Sequence, residues 1–404
     1  MSQKKRAVLL LIGCCLIYGV SCGISVNCRG VFYRPMAAGL GVSLSQLNLA
    51  GLFNGIISAI TIPICCKLYH KLPCRPFLPI LALIYSISII LMGTAQSLWF
   101  VYLLNGVLSI TGGFLNTYPV QMMISAWYPN KKGTVLGFVS MSTGIVGTVM
   151  NPVIAQWIQA YGWRNAYYIS GGIVFFSVMT ATLFLLHREP AEVGCEPILG
   201  GKAKPSAVVA PERTSRLEII LVFAFVVTVA LLNTLPQQLA NFAVVSGRTA
   251  AFGATLVSCA MIGNILGKAS MGVMNDRIGA RFTSVLGMLL VAAACVLILN
   301  ASSLWVMYLC AVGIGLLMAL DSLQLPMVSR SIFTEEMYEK LYPRVCSVNV
   351  LACIASTSIL SILADMDGNY TMVMGFSAVT AVLGCVVIVA LGFARRTQSG
   401  GKGA

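Results

Sequence analysis

The sequence predicts an all-α membrane protein with twelve transmembrane helices arranged as two six-helix repeats. Three observations lead to this prediction: the scarcity of charge, the number of long apolar stretches, and a short string that occurs twice. Hydrophobic residues make up 58% of the chain and charged residues 9%, whereas a soluble domain carries about 25% charged residues. A chain with so few charges cannot cover its core with polar surface, so lipid is the expected solvent.

The apolar stretches are each about 20 residues or longer, which suffices to cross a hydrocarbon core of about 30 Å at 1.5 Å per residue. Helix is the expected form, because backbone in lipid must satisfy its own hydrogen bonds. In chain order the twelve predicted spans are 7–33, 45–67, 77–95, 98–126, 133–158, 164–187, 217–240, 250–273, 282–300, 302–328, 345–364 and 371–393.

The repeated string supports an internal duplication. "SLWFVYL" at 97–103 and "SLWVMYL" at 303–309 differ at two positions. The two strings are 206 positions apart, and the same separation relates Asn27 in the first span to Asn233 in the seventh. Several markers with one separation indicate six spans that were copied.

The predicted repeat divides the chain into three parts. Residues 1–187 form an N-terminal six-helix half, and residues 217–404 form a C-terminal six-helix half. Between them, residues 188–216 are rich in Pro, Gly and charge, which is typical of a linker and here predicts a cytosolic one.

The net charge of +14 is interpreted as a topology signal. If the N-terminus is cytosolic, most of the 26 Lys and Arg fall in cytosolic segments, as the positive-inside rule requires. We therefore expect a multi-pass protein of the cell (plasma) membrane with both termini cytosolic, contacting lipid and binding no nucleic acid. The tryptophans lie at or near span ends, where an aromatic belt is expected: Trp99, Trp127, Trp157, Trp163 and Trp305.

The stretch "GVMNDRIGAR" at 272–281 joins the eighth and ninth spans. Its pattern G-x-x-x-D-R-x-G-x-R resembles the signature loop of the major facilitator superfamily. An acid at a helix end can hold basic partners on a neighbouring helix, and a glycine lets two helices approach closely. The interpretation as a conformational latch involves Gly272, Asp276, Arg277, Gly279 and Arg281; the alternative is an ordinary charged turn.

A second resemblance narrows the group. "SAWYPNKKGTVLGFVSMSTGIVGTVMNPV", followed by "YGWRNAYYI", resembles spans four to six of the oxalate/formate antiporters and monocarboxylate transporters, and "REPAEVGCEP" resembles the start of their central loop. This resemblance implies the major facilitator fold and a small organic anion as cargo. The drug-exporter pattern G-P-x-x-G-G is absent from span five, where Asn151 and Pro152 stand instead, and this argues against multidrug efflux.

Two charges lie deep inside predicted spans. Lys268 in span eight occupies the position where the resemblance places a carboxylate-binding Arg, and Asp321 lies inside span ten. A charge at mid-helix costs about 2.5–3.5 kcal/mol even on insertion scales, so such residues usually face a partner or a wet cavity. Both lie about 9 Å from the midplane on the same side at 1.5 Å per residue, so they can form a pair. The alternatives are a structural role for Asp321 and a Lys268 that reaches to the inner interface.

The predicted pair suggests a mechanism. An arriving carboxylate would compete with Asp321 for Lys268, and the released Asp321 would bind a proton, so that cargo and proton load together. Further polar residues of spans one, four, seven and eight are predicted to line the substrate site, although Arg29 can equally be a rim residue and Asn or Tyr can join helices: Arg29, Asn27, Tyr118, Asn233, Gln237 and Asn264.

The sequence therefore predicts a monomeric secondary transporter of a small organic anion, a mono- or dicarboxylate, by proton symport or anion exchange. The alternatives are proton-coupled efflux of amphipathic compounds and a non-transporting membrane sensor of the same fold. No enzyme activity, cofactor or metal site is expected, because the chain has two His and neither metal-ligand spacing nor a phosphate-binding glycine loop.

Overall fold

The structure, a computed structural model, describes residues 3–71, 74–187, 189–198 and 214–400. The chain forms two compact units, Met1–Ala203 and Lys204–Ala404, called here the N-terminal and C-terminal units. The predicted linker lies largely outside the described residues, at 188 and 199–213. The linker residues 189–198 that are described belong to the N-terminal unit, where Ile198 N donates to Trp127 O at 2.8 Å.

The described part of the N-terminal unit is helical. Two π-helices, Cys15–Val20 and Gly23–Asn27, interrupt the first span, a third covers Ala181–Leu185, and a short 3₁₀-helix covers Pro190–Val193. The α-helices are α1 Gln3–Cys14, α2 Arg29–Leu40, α3 Leu44–Lys71, α4 Cys74–Met92, α5 Leu98–Leu115, α6 Thr117–Trp127 and α7 Lys132–Thr180.

The described part of the C-terminal unit is also helical. A π-helix, Leu320–Gln324, interrupts the tenth predicted span. The α-helices are α8 Arg216–Leu232, α9 Leu235–Val245, α10 Ala250–Ile278, α11 Ala280–Leu299, α12 Leu304–Ala319, α13 Leu325–Ile332, α14 Glu335–Asp367 and α15 Thr371–Gly400.

These helices confirm the all-α membrane fold. Among the described residues, nine helices are long and apolar enough to cross a membrane. One of them, Lys132–Leu185, changes direction at Gly162, whose φ of 80° lies outside the helical region, so it accounts for two spans. Two shorter apolar helices, Leu49–Cys65 and Pro76–Met92, complete the predicted twelve.

The repeated string builds the same aromatic group in both units. In the N-terminal unit, Tyr102 meets Trp99 edge-on at 5.7 Å and Phe53 at a tilt of 42°. In the C-terminal unit, Tyr308 meets Trp305 edge-on at 6.0 Å and Phe252 at a tilt of 43°. Matching contacts around matching strings are the result expected of a duplicated six-helix unit.

Close helix approaches in the C-terminal unit depend on glycine. A Cβ added at Gly263 of α10 would lie 2.0 Å from Val312 O of α12, and one added at Gly315 would lie 2.0 Å from Ala260 O. Each helix therefore presents a glycine to the backbone of the other, which is the small-residue packing typical of membrane helices.

The structure corrects two expectations about the spans. The predicted spans leave residues 329–344 as a loop after the tenth span, but Glu336 and Glu339 lie in α14, which begins at Glu335, where the Thr334 side chain accepts a hydrogen bond from Met337 N. Trp127 does not belong to an aromatic belt: it is 0% exposed, and its Nε1 donates to His187 O at 3.1 Å. Trp99, 77% exposed, matches the belt position.

Candidate functional site

The C-terminal unit gathers its deep polar residues around Asp321. The π-helix Leu320–Gln324 carries this carboxylate. The side-chain amides of Asn349 and Asn233 lie within hydrogen-bonding reach of it, and the charge of Lys268 acts on it. Four elements thus contribute one side chain each to a cluster, here called the Asp321 cluster: the end of α8, α10, the π-helix and α14.

Two members of this cluster are held in place by irregular backbone. Asn233 stands at the break between α8 and α9, and its neighbour Thr234 shares a hydrogen bond with Ser356 of α14 at 2.7 Å. Asp321 sits in the wider turn of the π-helix. Non-helical backbone at membrane depth is tolerated where it lines protein or a wet cavity, and π-segments are frequent at functional sites.

The basic member is buried rather than directed to an interface. Lys268 is 5% exposed, and Asn264, one turn earlier on the same face of α10, is 1% exposed. This placement disagrees with a lysine that snorkels to the lipid headgroups. A buried ammonium requires nearby negative charge or acceptors, and the Asp321 carboxylate supplies negative charge.

Three buried oxygens in this region lack hydrogen-bond partners among the described residues: Oδ1 of Asp321, Oδ1 of Asn349 and Oδ1 of Asn264. Unsatisfied buried acceptors are uncommon in folded proteins, so each of these oxygens is available to accept a hydrogen bond from a water or a ligand. Together with Lys268 they provide a cation and free acceptors in one region, which suits a ligand carrying a carboxylate and hydroxyl or proton donors.

The N-terminal unit holds a separate, mainly apolar cavity at the start of α2 that contains several polar side chains. Its lining includes the side chains of Arg29, Tyr33, Asn105, Tyr167 and Ser170. Arg29 Nε donates to Ser25 O at 3.3 Å, and Ser25 Oγ is 2.5 Å from Tyr85 Oη. Arg29 is half-buried on the wall of this cavity.

Three predicted lining residues lie elsewhere. Asn27 Nδ2 donates to Thr143 O at 2.9 Å and thus joins the first span to α7. Tyr118 is 6% exposed in α6 and does not line the Arg29 cavity. Gln237 is an exposed residue of α9, whereas its neighbour Gln238 accepts from Tyr370 Oη at 3.4 Å.

The predicted latch residues bracket the turn between α10 and α11. Gly279 has a φ of 86°, which only glycine adopts readily, and its N–H closes α10 on Asn275 O at 3.2 Å. Gly272 is buried, Asp276 and Arg281 are half-buried, and Arg277 is exposed.

A buried amide chain beside this turn was not predicted. Gln324 Nε2 donates to Asn275 Oδ1 at 3.0 Å, and Ser284 Oγ donates to Gln324 Oε1 at 3.3 Å. The chain ties α10, the π-helix and α11 together three residues from Asp321. Asn349, Ser170 and the tyrosines of the Arg29 cavity were also missed. Each is a polar residue in an apolar span, which is a visible signal, but only the rotation of its helix decides which cluster it joins.

The sequence matches the profile of the Major Facilitator Superfamily over residues 14–255. Monocarboxylate transporter 4 of Rattus norvegicus is 24% identical over 204 residues, covering 49% of this chain and 41% of the relative. Multidrug resistance protein MdtG of Enterobacter lignolyticus is 25% identical over 294 residues, covering 69% of this chain and 66% of the relative. Each match spans less than two thirds of the relative's own length.

The fold has solved counterparts. The crystal structure of the transporter FucP in the outward conformation superimposes with a TM-score of 0.68 at 15% identity, covering 95% of this chain and 97% of that one. At this identity the likeness concerns the fold alone. Because the profile match covers more than half of the sequence and the fold agrees with it, the chain belongs to the Major Facilitator Superfamily.

Proposed function

We propose that the chain is a secondary active transporter of a small organic anion, a mono- or dicarboxylate. The observation that carries this proposal is the buried Lys268 beside Asp321, in a unit whose other described acids lie at helix ends or in exposed first turns. Membrane proteins keep such charges in place when function requires them. Lys268 would bind the cargo carboxylate as a point charge, without the two-pronged geometry of an arginine.

The proposed mechanism is a competition for Lys268. In the empty state Asp321 neutralises the ammonium. A cargo carboxylate displaces Asp321, which then binds a proton, so that the loaded site contains one ammonium, one carboxylate and a neutral acid. The same competition without a proton gives anion exchange. The proposal includes alternate exposure of the site to the two sides of the membrane.

The neighbouring amides have assigned roles in this proposal. Asn264 would contact cargo beside Lys268, and its Oδ1, which has no partner among the described residues, can accept from a cargo hydroxyl or a water. Asn233 and Asn349 hold the Asp321 carboxylate while it is charged. Asn27, Tyr118 and Gln237 stay proposed lining residues of the substrate site, and Asn27 also joins the first span to α7 through its bond to Thr143 O.

The latch remains part of the proposal. Asp276, Arg277 and Arg281 would stabilise one conformation at the turn that Gly279 makes possible, with Gly272 on the buried side of α10. The proposed setting is the plasma membrane, with both termini cytosolic and the chain acting as a monomer.

The decisive experiment is uptake of radiolabelled carboxylates into proteoliposomes containing the purified chain, with and without a pH gradient. We expect at least one small carboxylate to accumulate, and acidification of the side of entry to speed uptake if protons are coupled. Protein-free liposomes are the control. Failure to move any carboxylate in either direction would contradict the proposal.

A second candidate is efflux of amphipathic compounds, favoured by the match to MdtG over 69% of the chain. The two candidate functions differ in whether transport needs the charge of Lys268. The Lys268→Gln variant would move neutral amphipathic cargo as well as the wild type does, but it would not move carboxylate cargo.

A further inference from the structure

The first span contains a cation in a unit without nearby acids. Residues 1–188 include no Asp or Glu, and the acids of the N-terminal unit, Glu189, Glu192 and Glu196, all lie beyond its last span. Arg29 therefore cannot be neutralised by a carboxylate from the spans of its own unit. Arg29 Nε donates to the Ser25 carbonyl, and Tyr33 lies within reach of the guanidinium. A guanidinium carries five N–H donors, so most of its donor capacity is available to a ligand.

The walls around Arg29 include two hydroxyl groups that have no described hydrogen-bond partner. Ser170 is 0% exposed and lines the cavity, and its Oγ has no hydrogen-bond partner among the described residues. The buried Tyr33 Oη lies beside the guanidinium. Its distances and angles to the described residues meet the criteria for no hydrogen bond. Two buried hydroxyls and one cation thus share a cavity, and each has donor capacity that an anionic ligand can use.

Arg164, another arginine of the N-terminal unit, behaves differently from Arg29. Arg164 Nη1 donates to the carbonyls of Gly93 at 3.2 Å and Ala95 at 2.9 Å, and its guanidinium lies 4.5 Å from the Trp163 ring centre. Arg164 is therefore used to hold α7 against the end of α4. No comparable set of carbonyls is described around Arg29.

The size and shape of the cavity limit its occupant. The cavity volume is about 30 Å³, and one water needs about 10–15 Å³, so the space suits a group of about two or three heavy atoms. Phe32 and Tyr167, stacked with ring centres 3.9 Å apart, form a flat apolar wall.

We propose that the N-terminal unit has its own anion site, in which Arg29, Tyr33 and Ser170 bind a compact carboxylate of formate size. The guanidinium supplies charge, and the two hydroxyls each donate to a carboxylate oxygen. This site lies within one unit and does not rest on the proposed role of Lys268.

The test is thermal melting of the purified full-length chain in detergent, followed by tryptophan fluorescence. Formate replaces gluconate at constant ionic strength, because gluconate is too large for the cavity. Lys268→Gln is the background, so that the Asp321 cluster contributes no lysine. We expect formate to raise the melting temperature in this background, and Arg29→Gln to weaken the apparent formate affinity at least tenfold. Arg34→Gln is the matched control, since Arg34 is an exposed residue of the same helix.

A second variant separates ligand binding from structure. Ser170→Ala removes a buried hydroxyl that has no described partner, so the ligand-free melting temperature should stay unchanged or rise. The apparent affinity for formate should fall about fivefold. This variant also decides the matter if Arg29→Gln does not fold.

Three results would overturn the proposal: equal formate titrations for Arg29→Gln and Arg34→Gln, no effect of formate in the Lys268→Gln background, or unchanged formate affinity in Ser170→Ala. Chloride that binds as tightly as formate would overturn the carboxylate class. Normal carboxylate transport by Lys268→Gln would refute the proposed function while leaving this site standing.

Discussion

Replacing Asp321 by Asn tests the competition at the Asp321 cluster. The substitution keeps the size of the side chain and its ability to accept from Asn349 and Asn233, but it removes the negative charge that acts on Lys268. In the proposed mechanism Asp321 is the internal competitor of the cargo carboxylate. The variant should therefore bind cargo more tightly, and it should no longer need a proton to do so.

The magnitude follows from the charge pair that is lost. At an effective dielectric constant of about 20, two unit charges separated by about 4–8 Å interact by about 2–4 kcal/mol. Because Lys268 is only 5% exposed, solvent screens little of this interaction energy. Part of the gain in cargo affinity is offset, because water and neighbouring side chains rearrange around Lys268 once the Asp321 charge is removed. We expect cargo binding about 10- to 100-fold tighter at neutral pH, where about 1.4 kcal/mol corresponds to a factor of ten.

The assay is equilibrium binding of a labelled carboxylate to purified protein between pH 5 and pH 8. Wild-type affinity should rise as the pH falls, because a protonated Asp321 no longer competes, and the affinity of Asp321→Asn should be flat. In proteoliposomes the variant should retain anion exchange and lose accumulation driven by a pH gradient. A variant whose affinity keeps the wild-type pH dependence, or which still accumulates cargo with protons, would exclude Asp321 as the coupling acid.

Three further predictions concern packing, the latch and orientation. Gly263→Ala places a Cβ 2.0 Å from Val312 O and should destabilise the chain by about 1–3 kcal/mol or more. The control is Gly392→Ala, whose Cβ would have nothing within 4 Å and which should stabilise its helix by about 0.5–1 kcal/mol. Equal melting temperatures for the two variants would refute the close packing of α10 on α12. Asp276→Asn should lower turnover more than cargo affinity, and unchanged turnover would show that the signature loop is an ordinary turn. A membrane-impermeant maleimide should modify Cys195 only from the cytosolic side, as mapped by mass spectrometry, and its modification in intact cells would contradict the orientation.

The fold was predictable because its signals are strong and local. Long apolar runs and the repeated "SLW" strings are sufficient to predict twelve helices in two repeats, and the family profile and the aromatic groups around Tyr102 and Tyr308 agree with this. The ends of the helices were predicted less well. Charged residues such as Glu336 and Lys340 look like a loop in a hydropathy plot, yet they pair one turn apart inside α14.

The candidate site was predictable only in part. Lys268 and Asp321 stand out because charge inside a span is costly, and helix length alone gives their depth. Helix rotation and backbone irregularity are not readable from spacing. The π-helix that carries Asp321, the break at Asn233 and the position of Asn349 decide the composition of the cluster, and each depends on packing between helices.

The Arg29 cavity shows the same limit. The sequence places Arg29 toward the end of the first span, but the π-helix Gly23–Asn27 before it and the faces presented by α5 and α7 determine that Tyr33, Tyr167 and Ser170 surround it. Residues from four segments meet there, and no spacing in the sequence relates them.

The most direct test of the central claim is carboxylate uptake by proteoliposomes containing Lys268→Gln, Lys268→Arg or Lys340→Gln. Lys340 is the matched control, because its side chain is 69% exposed and pairs with Glu336 on the surface. We predict that Lys268→Gln abolishes uptake while the protein still folds, that Lys268→Arg retains part of it, and that Lys340→Gln transports normally. Carboxylate uptake by Lys268→Gln at the rate of Lys340→Gln would show that Lys268 is not the anion contact.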